Sequence, residues 1–505
     1  MGLLLFKFLT WAENIKRAYL FLYSMKNFFK ILTAQLLTII IVLVLIEMVG
    51  QIYARFHPGY ETLSAIPDSM IGWRLAPNLK YTYTGGHWYA HEFSAKIKNN
   101  ALGFRDFNRK RVKPPNTKRI ALLGDSLVQA EQVAFQNTPG QVLEQLLNNI
   151  SLNRQSQNFE VLNFGIGGIG IGQSLLVYRQ YARVFNPDFV FLFIFIDDIY
   201  RTIAPFSSIT NTIKKEQQLA IRPVFNIGPK GMQNDFKSLL KILNFADFHQ
   251  FLTELKAQKI KLGKYSPLKK DEYIKLEKTL IERITNEKIA QISEKLYKSD
   301  LLLILPPQKN YEEFGRLQGE VIAREFGEDR TKIRERKIFL LDIWRKFKFG
   351  LNKLNGMFKT DFDTEEEFNK LIKNYAPRIQ NDIFSGSQDY PNFERVVFIN
   401  LKILETMNRD ITKEGKKFII VDASSHLANH GNLPAKLFST ILSKYCEVNK
   451  IGYIPLHQPL DESVRNGNKT TWKTDSHFNE NGYRIFGEAM FKWITDGKNN
   501  LNIYN

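Results

Sequence analysis

The sequence predicts an α/β fold in which helices cover both faces of a parallel sheet. Residues 119–123 form an apolar strand, residues 160–164 a second strand, and residues 188–196 a third strand without polar alternation, as is typical of strands buried on both faces. Segments with helical apolar spacing lie between these runs. The same rhythm returns near the C-terminus, where the apolar run 417–422 lies between two amphipathic segments. Continuous apolar strands that alternate with helices indicate a parallel sheet.

Each predicted element has a local signal of its own. Thr138 is a good N-cap residue and Pro139 suits the first helical position, so we predict a helix over 138–147. Residues 173–185 have the apolar spacing of a second helix. For the C-terminal half we predict a helix at 393–412, a strand at 417–422, a helix at 434–448, a short strand at 452–455 and a final helix at 480–494.

Polar or glycine-rich turns follow the three N-terminal strands. The carboxyl ends of parallel strands meet at one edge of the sheet, where α/β proteins bind ligands. We therefore expect these turns to share a pocket. They are Gly124-Asp125-Ser126, the glycine run 165–168 and Asp197-Asp198.

Length, cysteine content and charge limit the function classes. At 505 residues the chain exceeds one typical domain, which predicts two modules or one domain with large insertions. The only cysteine is Cys446, so an intrachain disulfide is excluded. The net charge of +19 suggests nucleic acid, phospholipid headgroups or an acidic polymer as a neighbour, or else a lysine-rich solvated surface. Nucleic acid is disfavoured as a partner because the sequence has no nucleic-acid-binding motif. No cofactor is expected, because the sequence has neither metal-ligand spacing nor a dinucleotide-binding fingerprint.

One apolar segment predicts a membrane protein. Residues 31–50 are long enough to span a bilayer and carry a single charge, Glu47, so we interpret 31–53 as a transmembrane anchor. Residues 1–30 contain five lysine or arginine residues and one glutamate, which predicts a cytoplasmic or interfacial N-terminus and an extracytoplasmic remainder. A cleaved signal peptide is the alternative. Its apolar core is usually shorter, and no small-x-small cleavage site follows Gly50.

Two segments depart from the α/β rhythm. Residues 54–115 are rich in aromatic residues, glycine and proline, and their alternation predicts a β-rich juxtamembrane extension with short strands around a Gly-Gly turn at 85–86. No chemistry is evident in this extension. Residues 206–390 are rich in lysine and glutamate with helical apolar spacing, which predicts a mostly helical insertion. The insertion divides the predicted α/β domain into halves at 116–205 and 391–505.

Ser126 is the candidate nucleophile of an acyl-transfer site. It follows a buried strand, where its hydroxyl would be exposed on a tight turn and its N–H could donate to an oxyanion. Far downstream, His477 is the natural general base for this serine, and Asp475 is the natural partner for the imidazole. Each motif also has a structural alternative. The alternatives are a strand-to-helix turn at 124–126, a packed glycine turn at 165–168 and a capping turn at 475–479.

Taken together, these blocks resemble those of the SGNH (GDSL-type) hydrolase superfamily, in its membrane-anchored bacterial members. The resemblance covers roughly 98–203 and 392–495, within the length of one or two typical domains. It implies a three-layer α/β/α flavodoxin-like fold. It also implies that Ser126 is the nucleophile and first oxyanion donor, Gly168 the second oxyanion donor, His477 the base and Asp475 its partner. The matching segments are 100–106 (NALGFRD), 120–127 (IALLGDSL), 161–168 (VLNFGIGG) and 475–489 (DSHFNENGYRIFGEA).

Two features depart from the superfamily pattern. Asp197 stands where the superfamily has an asparagine that donates to the oxyanion. An ionised carboxylate cannot donate and repels an oxyanion, and loss of one such donor typically costs about 10²–10³ in rate. Asp475 lies two residues before His477, whereas many members have three. The shorter spacing occurs in relatives that acetylate envelope polysaccharides.

The resemblance implies a membrane-anchored, extracytoplasmic serine esterase or O-acyltransferase. The anchor favours acyl esters of a cell-envelope polysaccharide or lipid as substrates. The alternative is a catalytically weak or inactive SGNH scaffold that binds a polysaccharide or a protein partner in an envelope assembly. Asp197 is the residue that favours this alternative.

Overall fold

A computed structural model provides the structure of this chain. The N-terminal helix belongs to one compact unit, and the other described elements belong to a second, here called the α/β unit. The structure describes residues 2–56, 65–87, 90–154, 157–204, 206–211, 216–227, 239, 241–248, 250, 270–305, 393–428, 432–473, 475 and 477–496.

The N-terminal helix, α1 (Gly2–Phe56), is longer than the predicted anchor. Its segment Tyr23–Gly50 has a mean hydropathy of 2.5 and is long and apolar enough to cross a membrane. A signal sequence near the N-terminus also meets this criterion of length and composition, so the helix fits either a single-pass anchor or a signal sequence. The helix extends beyond 31–53 at both ends because no proline interrupts the neighbouring residues.

The α/β unit contains the remaining elements. The strands are β1 (Ala65–Asp68), β2 (Gly72–Leu75), β3 (Lys80–His87), β4 (Ala90–Lys98), β5 (Thr117–Gly124), β6 (Asn158–Gly165), β7 (Phe189–Ile194), β8 (Phe206–Asn211), β9 (Glu216–Ile221), β10 (Val224–Ile227), β11 (Leu301–Ile304), β12 (Lys417–Asp422) and β13 (Gly452–Pro455). The α-helices are α2 (Ser126–Gln129), α3 (Pro139–Arg154), α4 (Ile171–Val177), α5 (Ile196–Arg201), α6 (Lys270–Glu282), α7 (Asn286–Tyr297), α8 (Phe393–Thr412), α9 (Ser424–Ala428), α10 (Leu433–Val448), α11 (His457–Arg465) and α12 (Glu480–Thr495).

Five parallel strands form the central sheet, in the order β13-β12-β7-β5-β6. This sheet confirms the predicted α/β class with parallel strands. Every residue of β7 is buried, as its continuous apolar sequence predicts. In the register of β5 and β6, Gly124 lies opposite Gly165. The turns that follow these two strands therefore begin side by side.

Helices pack against both faces of this sheet. One face, with Leu123 and Leu192, belongs to a core shared with α4, α8 and α10. The other face, with Leu122 and Phe191, belongs to a core shared with α3 and α12. Burial of each such side chain contributes about 1.5–3 kcal/mol. Because neighbouring strand residues enter opposite cores, the two faces fix the register of the sheet.

The N-terminal extension contains two antiparallel strand pairs, β1–β2 and β3–β4. The predicted turn at 85–86 is wrong, because both glycines lie inside β3 at a β-bulge. The reason is steric. A Cβ at Gly85 would collide with the ring of Phe93 on β4, and this ring is itself packed against Tyr83 and Trp472, so glycine at 85 leaves room for it. The chain reverses instead between His87 and Ala90.

The helical interpretation of 206–390 misses four strands. β8 pairs with β9 and β10 with β11, both antiparallel. β8 and β9 are mostly polar, so they lack the alternation of apolar and polar residues that would predict a strand. β10 and β11 are too short for their apolar pattern to distinguish a strand from a helix. The predicted helical stretches 273–281 and 289–296 lie in α6 and α7. The stretches 236–243 and 248–255 fall partly outside the described residues, and 306–392 falls wholly outside them.

Candidate active site

Ser126 is the first residue of α2, directly after β5. Asp125 caps this helix, because its Oδ1 accepts the Leu127 N–H at 2.9 Å. Gly124 has a φ of +153°, and a Cβ there would lie 2.8 Å from Val128. Glycine at this position thus allows the tight turn. The N–H of Ser126 has no acceptor within its own helix because it is at the first helical position.

A chain of hydrogen bonds joins Ser126 to the segment before α12. His477 Nε2 lies 3.0 Å from Ser126 Oγ, and His477 Nδ1 lies 2.5 Å from Asp475 Oδ1. The same carboxylate oxygen accepts the His477 backbone N–H at 3.2 Å. Asn479 caps α12, since its Oδ1 accepts the Gly482 N–H at 3.0 Å. Asp475 is therefore directed at the imidazole rather than at the helix end.

The glycine run 165–168 lies beside the serine. The N–H of Ile166 donates to the Gly124 carbonyl at 3.1 Å, and the N–H of Gly167 donates to Gln129 Oε1 at 2.6 Å. A Cβ at Gly167 would lie 3.9 Å from Ser126 Cβ. Gly168 has a φ of +76°, in the left-handed region that favours glycine. A side chain at Gly167 would therefore reach van der Waals contact with Ser126, and glycine leaves that space open.

Asp197 lies in the first turn of α5, at the same edge of the sheet. Its side chain is 60% exposed, and its Oδ2 lies 4.0 Å from Arg201 Nη2. Asp198 is buried, and its Oδ2 accepts the Phe195 N–H at 2.9 Å. Arg201 Nη1 lies 2.7 Å from both Asp125 Oδ2 and Asp198 Oδ1. Arg201 therefore offsets part of the negative charge that the aspartates bring to this edge.

The pKa of His477 is raised above its ordinary value. Burial is the largest contribution and lowers this pKa, but the hydrogen bond and charge of Asp475 outweigh it. The charges of Asp125 and Glu131 raise the pKa of His477 further. The imidazole is thus a stronger base than a solvated histidine, and its neutral form appears at a higher pH.

The β3–β4 pair brings residues to this site that the sequence analysis missed. Tyr83 on β3 lies close enough to the Asp475 carboxylate for that group to shift its pKa. Burial, followed by the charge of Asp475, raises the pKa of Tyr83 to about 12, so the hydroxyl keeps its proton. The Tyr81 hydroxyl donates to Glu131, which lies near His477 and Asp475. No pattern in the sequence connects these strand tyrosines with residues near the C-terminus.

Ring packing holds this strand pair against the segment that carries Asp475. The ring centroids of Phe93 and Trp472 are 5.2 Å apart, and those of Tyr83 and Phe93 are 5.5 Å apart. Such aromatic pairs stabilise a contact by about 0.5–1.5 kcal/mol each beyond their buried area. The extension is therefore packed on the site and is not a separate spacer.

Two buried polar side chains fix the loops around Ser126. Arg105 is fully buried and donates to three backbone carbonyls in 129–133, the loop that follows α2. Asn163 donates to the Val128 carbonyl at 2.8 Å, and its Oδ1 accepts the Gly165 N–H at 2.9 Å. A signal for both was present, since each lies in a segment that resembles a superfamily block, but their roles require the three-dimensional contacts.

Similarity to known proteins adds no assignment. No protein-family model matches the chain, and a search of curated proteins finds no relative. Among the described residues, no group of three or more histidine, cysteine, aspartate or glutamate side chains is arranged to hold a metal ion. A cavity of about 240 Å³ lies away from Ser126, between 100–111 and β6.

Proposed function

We propose that this protein is a serine esterase or O-acyltransferase with an SGNH-type α/β domain. The hydrogen-bonded chain from Ser126 through His477 to Asp475 is the observation that supports this proposal most strongly. A nucleophile, a base and a group that orients the base are the parts that acyl transfer requires. The parallel sheet and the position of Ser126 after β5 are compatible with the three-layer flavodoxin-like fold that the sequence resemblance implies.

In the proposed mechanism, Ser126 Oγ attacks the carbonyl carbon of an ester while His477 Nε2 takes its proton. Asp475 stabilises the imidazolium that forms. The N–H groups of Ser126 and Gly168 donate to the oxyanion of the tetrahedral intermediate. The bond to the leaving alcohol then breaks, the imidazolium gives that alcohol its proton, and an acyl-Ser126 remains. Water or a sugar hydroxyl then attacks this acyl group while His477 Nε2 takes its proton. The bond between the acyl carbon and Ser126 Oγ breaks, and the imidazolium returns the proton to Ser126 Oγ.

The proposed substrate is an acyl ester of a cell-envelope polysaccharide or lipid. If α1 is an uncleaved anchor, the α/β unit is held next to a bilayer, where such substrates are concentrated. The basic residues near the N-terminus favour a cytoplasmic N-terminus and an extracytoplasmic α/β unit. The net charge of +19 also favours a neighbouring anionic surface or polymer.

Fluorophosphonate labelling of the full-length protein in detergent tests this proposal. The reagent forms a phosphoester with an activated serine and releases fluoride. Wild type should be labelled, whereas Ser126→Ala and His477→Ala should not be. Labelling that persists in Ser126→Ala would assign the nucleophile to another residue. If no variant is labelled although circular dichroism shows folded protein, the esterase proposal fails.

The alternative function is a weak or inactive scaffold that binds an envelope polysaccharide or a protein partner. Asp197 favours it, because a carboxylate stands where an amide donor is expected. Its partner Arg201 weakens this argument, because the guanidinium faces the carboxylate and offsets its charge. Retention of an acylated glycan on immobilised wild type without turnover, together with absent labelling, would support the scaffold.

Asp197→Asn should increase kcat/KM for a p-nitrophenyl ester by about threefold to tenfold, which corresponds to roughly 1 kcal/mol of charge repulsion near the surface. The change removes a negative charge and adds an amide donor at the oxyanion edge. Asp410→Asn is a matched control, since it removes an aspartate that pairs with Arg179 away from Ser126. A fall in activity would instead mean that the Asp197–Arg201 pair organises the site.

Glu131→Gln should move the midpoint of the pH dependence of kcat/KM to lower pH. The pKa of Glu131 is raised to about 7, mainly by burial. The charge of His477 opposes this rise, and the charge of Asp475 adds to it. Ionised Glu131 raises the pKa of His477, so the uncharged variant should lower that pKa and provide the neutral base at lower pH. Glu488→Gln, which removes the partner of Arg484 on α12, should leave the midpoint unchanged. A midpoint that rises contradicts this account.

A further inference from the structure

We propose that Trp73, on β2 of the N-terminal extension, is a positioning residue for the N–H of Gly168. The inference rests on the proposed function and deepens it, because this N–H is the proposed second oxyanion donor. The indole Nε1 of Trp73 donates to the Gly167 carbonyl at 3.2 Å. A side chain from the extension thus holds the peptide unit that joins Gly167 to Gly168.

This hydrogen bond sets the direction in which the Gly168 N–H points. The peptide bond between Gly167 and Gly168 is trans, as are the others in the described residues. In a trans peptide the C=O of one residue and the N–H of the next point in opposite directions within one plane. While the indole holds the Gly167 carbonyl, the N–H of Gly168 is directed away from Trp73.

An external partner is needed because this stretch of backbone is intrinsically loose. Gly167 and Gly168 both lack a Cβ, so rotation of the peptide plane between them meets little steric resistance. The preceding peptide is held by Gln129 Oε1, which accepts the Gly167 N–H at 2.6 Å. The peptide that follows Gly168 is held by Arg222, whose Nη1 lies 3.5 Å from the Gly168 carbonyl. Trp73 holds the peptide unit between Gly167 and Gly168, which lies between these two.

The indole is itself fixed in place. Trp73 is 3% exposed and belongs to the same core as Ile71 and Leu75. The guanidinium of Arg222 lies 4.9 Å from the centroid of its ring. A Cβ at Gly168 would lie 3.7 Å from Trp73 Cζ2, which is ordinary van der Waals contact. A rigid donor of this kind preorganises the Gly168 N–H before substrate binds, which is what oxyanion stabilisation requires.

Trp73→Phe keeps an aromatic ring and removes the donor. The full-length protein in detergent would be assayed with a p-nitrophenyl ester and with the matching thionoester, whose intermediate carries its charge on sulfur, a weak hydrogen-bond acceptor. We expect kcat for the ester to fall roughly tenfold, less than the 10²–10³-fold cost of removing a donor outright. KM should change little. Because the thionoester depends less on the donor, the ratio of ester to thionoester rates should fall.

Tyr181→Phe is the matched control. Its hydroxyl donates to Asp68 Oδ2 at 3.2 Å, so this variant removes a hydrogen bond to the same β1–β2 pair but not to the glycine run. The rate ratio should stay at the wild-type value. If Trp73→Phe does not fold, replacement of Trp73 by the isosteric benzothienylalanine, which lacks the N–H, makes the same test.

The outcomes separate this inference from the proposed function. If Trp73→Phe loses the same factor in rate on the ester and on the thionoester, Trp73 supports only the fold. If kcat for the ester is unchanged, the hydrogen bond from Trp73 does not affect catalysis. Either result overturns the inference, while Ser126 remains the nucleophile. Wild type that turns over neither substrate and is not labelled by fluorophosphonate overturns the proposed function, and the inference falls with it. A lowered ratio in Trp73→Phe alone supports both.

Discussion

Ser126→Ala and His477→Ala should each lower kcat for ester cleavage by about 10⁴-fold or more, and the double variant should be no worse than either single variant. The reason is that the nucleophile and base act as one unit across the 3.0 Å between Ser126 Oγ and His477 Nε2. KM should change little, since neither side chain is expected to bind the rest of the substrate. Initial rates with a p-nitrophenyl ester, normalised to folded protein, would measure the effect.

The chain provides a matched control for the histidine. His426 on α9 also pairs with an aspartate, because its Nδ1 lies 2.9 Å from Asp461 Oδ1. His426→Ala removes a histidine–aspartate pair of the same kind, and we expect it to retain wild-type activity. Comparable losses in His426→Ala and His477→Ala would show that general damage to the fold, rather than loss of the base, explains the result.

Asp475→Asn should reduce kcat by about 10⁴-fold, the effect that replacing the third member of such a triad has when the geometry stays intact. The ionised carboxylate can only accept hydrogen bonds, and it accepts from His477 Nδ1. An asparagine instead has one acceptor oxygen and an NH2 donor, and this donor can face His477 Nδ1. The imidazole would then take the wrong tautomer, with Nε2 protonated and unable to accept the Ser126 proton.

The pH dependence gives a second measurement on Asp475→Asn. The hydrogen bond and charge of Asp475 raise the pKa of His477 against the effect of burial. Without this carboxylate that pKa should fall, so the residual kcat/KM should reach its plateau at lower pH than in wild type. Asp461→Asn, the corresponding change in the His426 pair, should shift nothing. A residual activity near wild type would contradict the proposed role of Asp475.

The sheet was predictable from sequence because its signal is local. The run that became β7 is continuous and apolar, and the apolar residues of β5 are also consecutive, as burial on both faces of a sheet requires. The reversal of β3–β4 was not predictable, because Gly85 serves the Phe93 ring rather than a turn. A glycine has several structural uses, and only the neighbouring strand reveals which one applies.

The candidate site was predictable only in part. Ser126, His477 and Asp475 were predicted because a serine follows a buried strand, and an aspartate and a histidine precede the last predicted helix. Tyr83 and Trp73 contact the site from a segment in which no chemistry was evident. An alternating strand pattern tells which residues share a face, but not which distant loop that face packs against. Residues that act through such contacts have no signature in a single sequence.

The hydrogen bond between Ser126 and His477 joins residues 351 positions apart, which has a consequence for biosynthesis. A ribosome adds about 5–20 residues per second, so the serine emerges roughly 20–70 s before the histidine. During this interval the hydroxyl has no base, and the proposed acyl-enzyme cannot form. A chain that terminates before residue 475 should therefore be inert even when its N-terminal helix has inserted. Under the proposed function, synthesis of the segment that carries Asp475 and His477, just before α12, would be the step that completes the site.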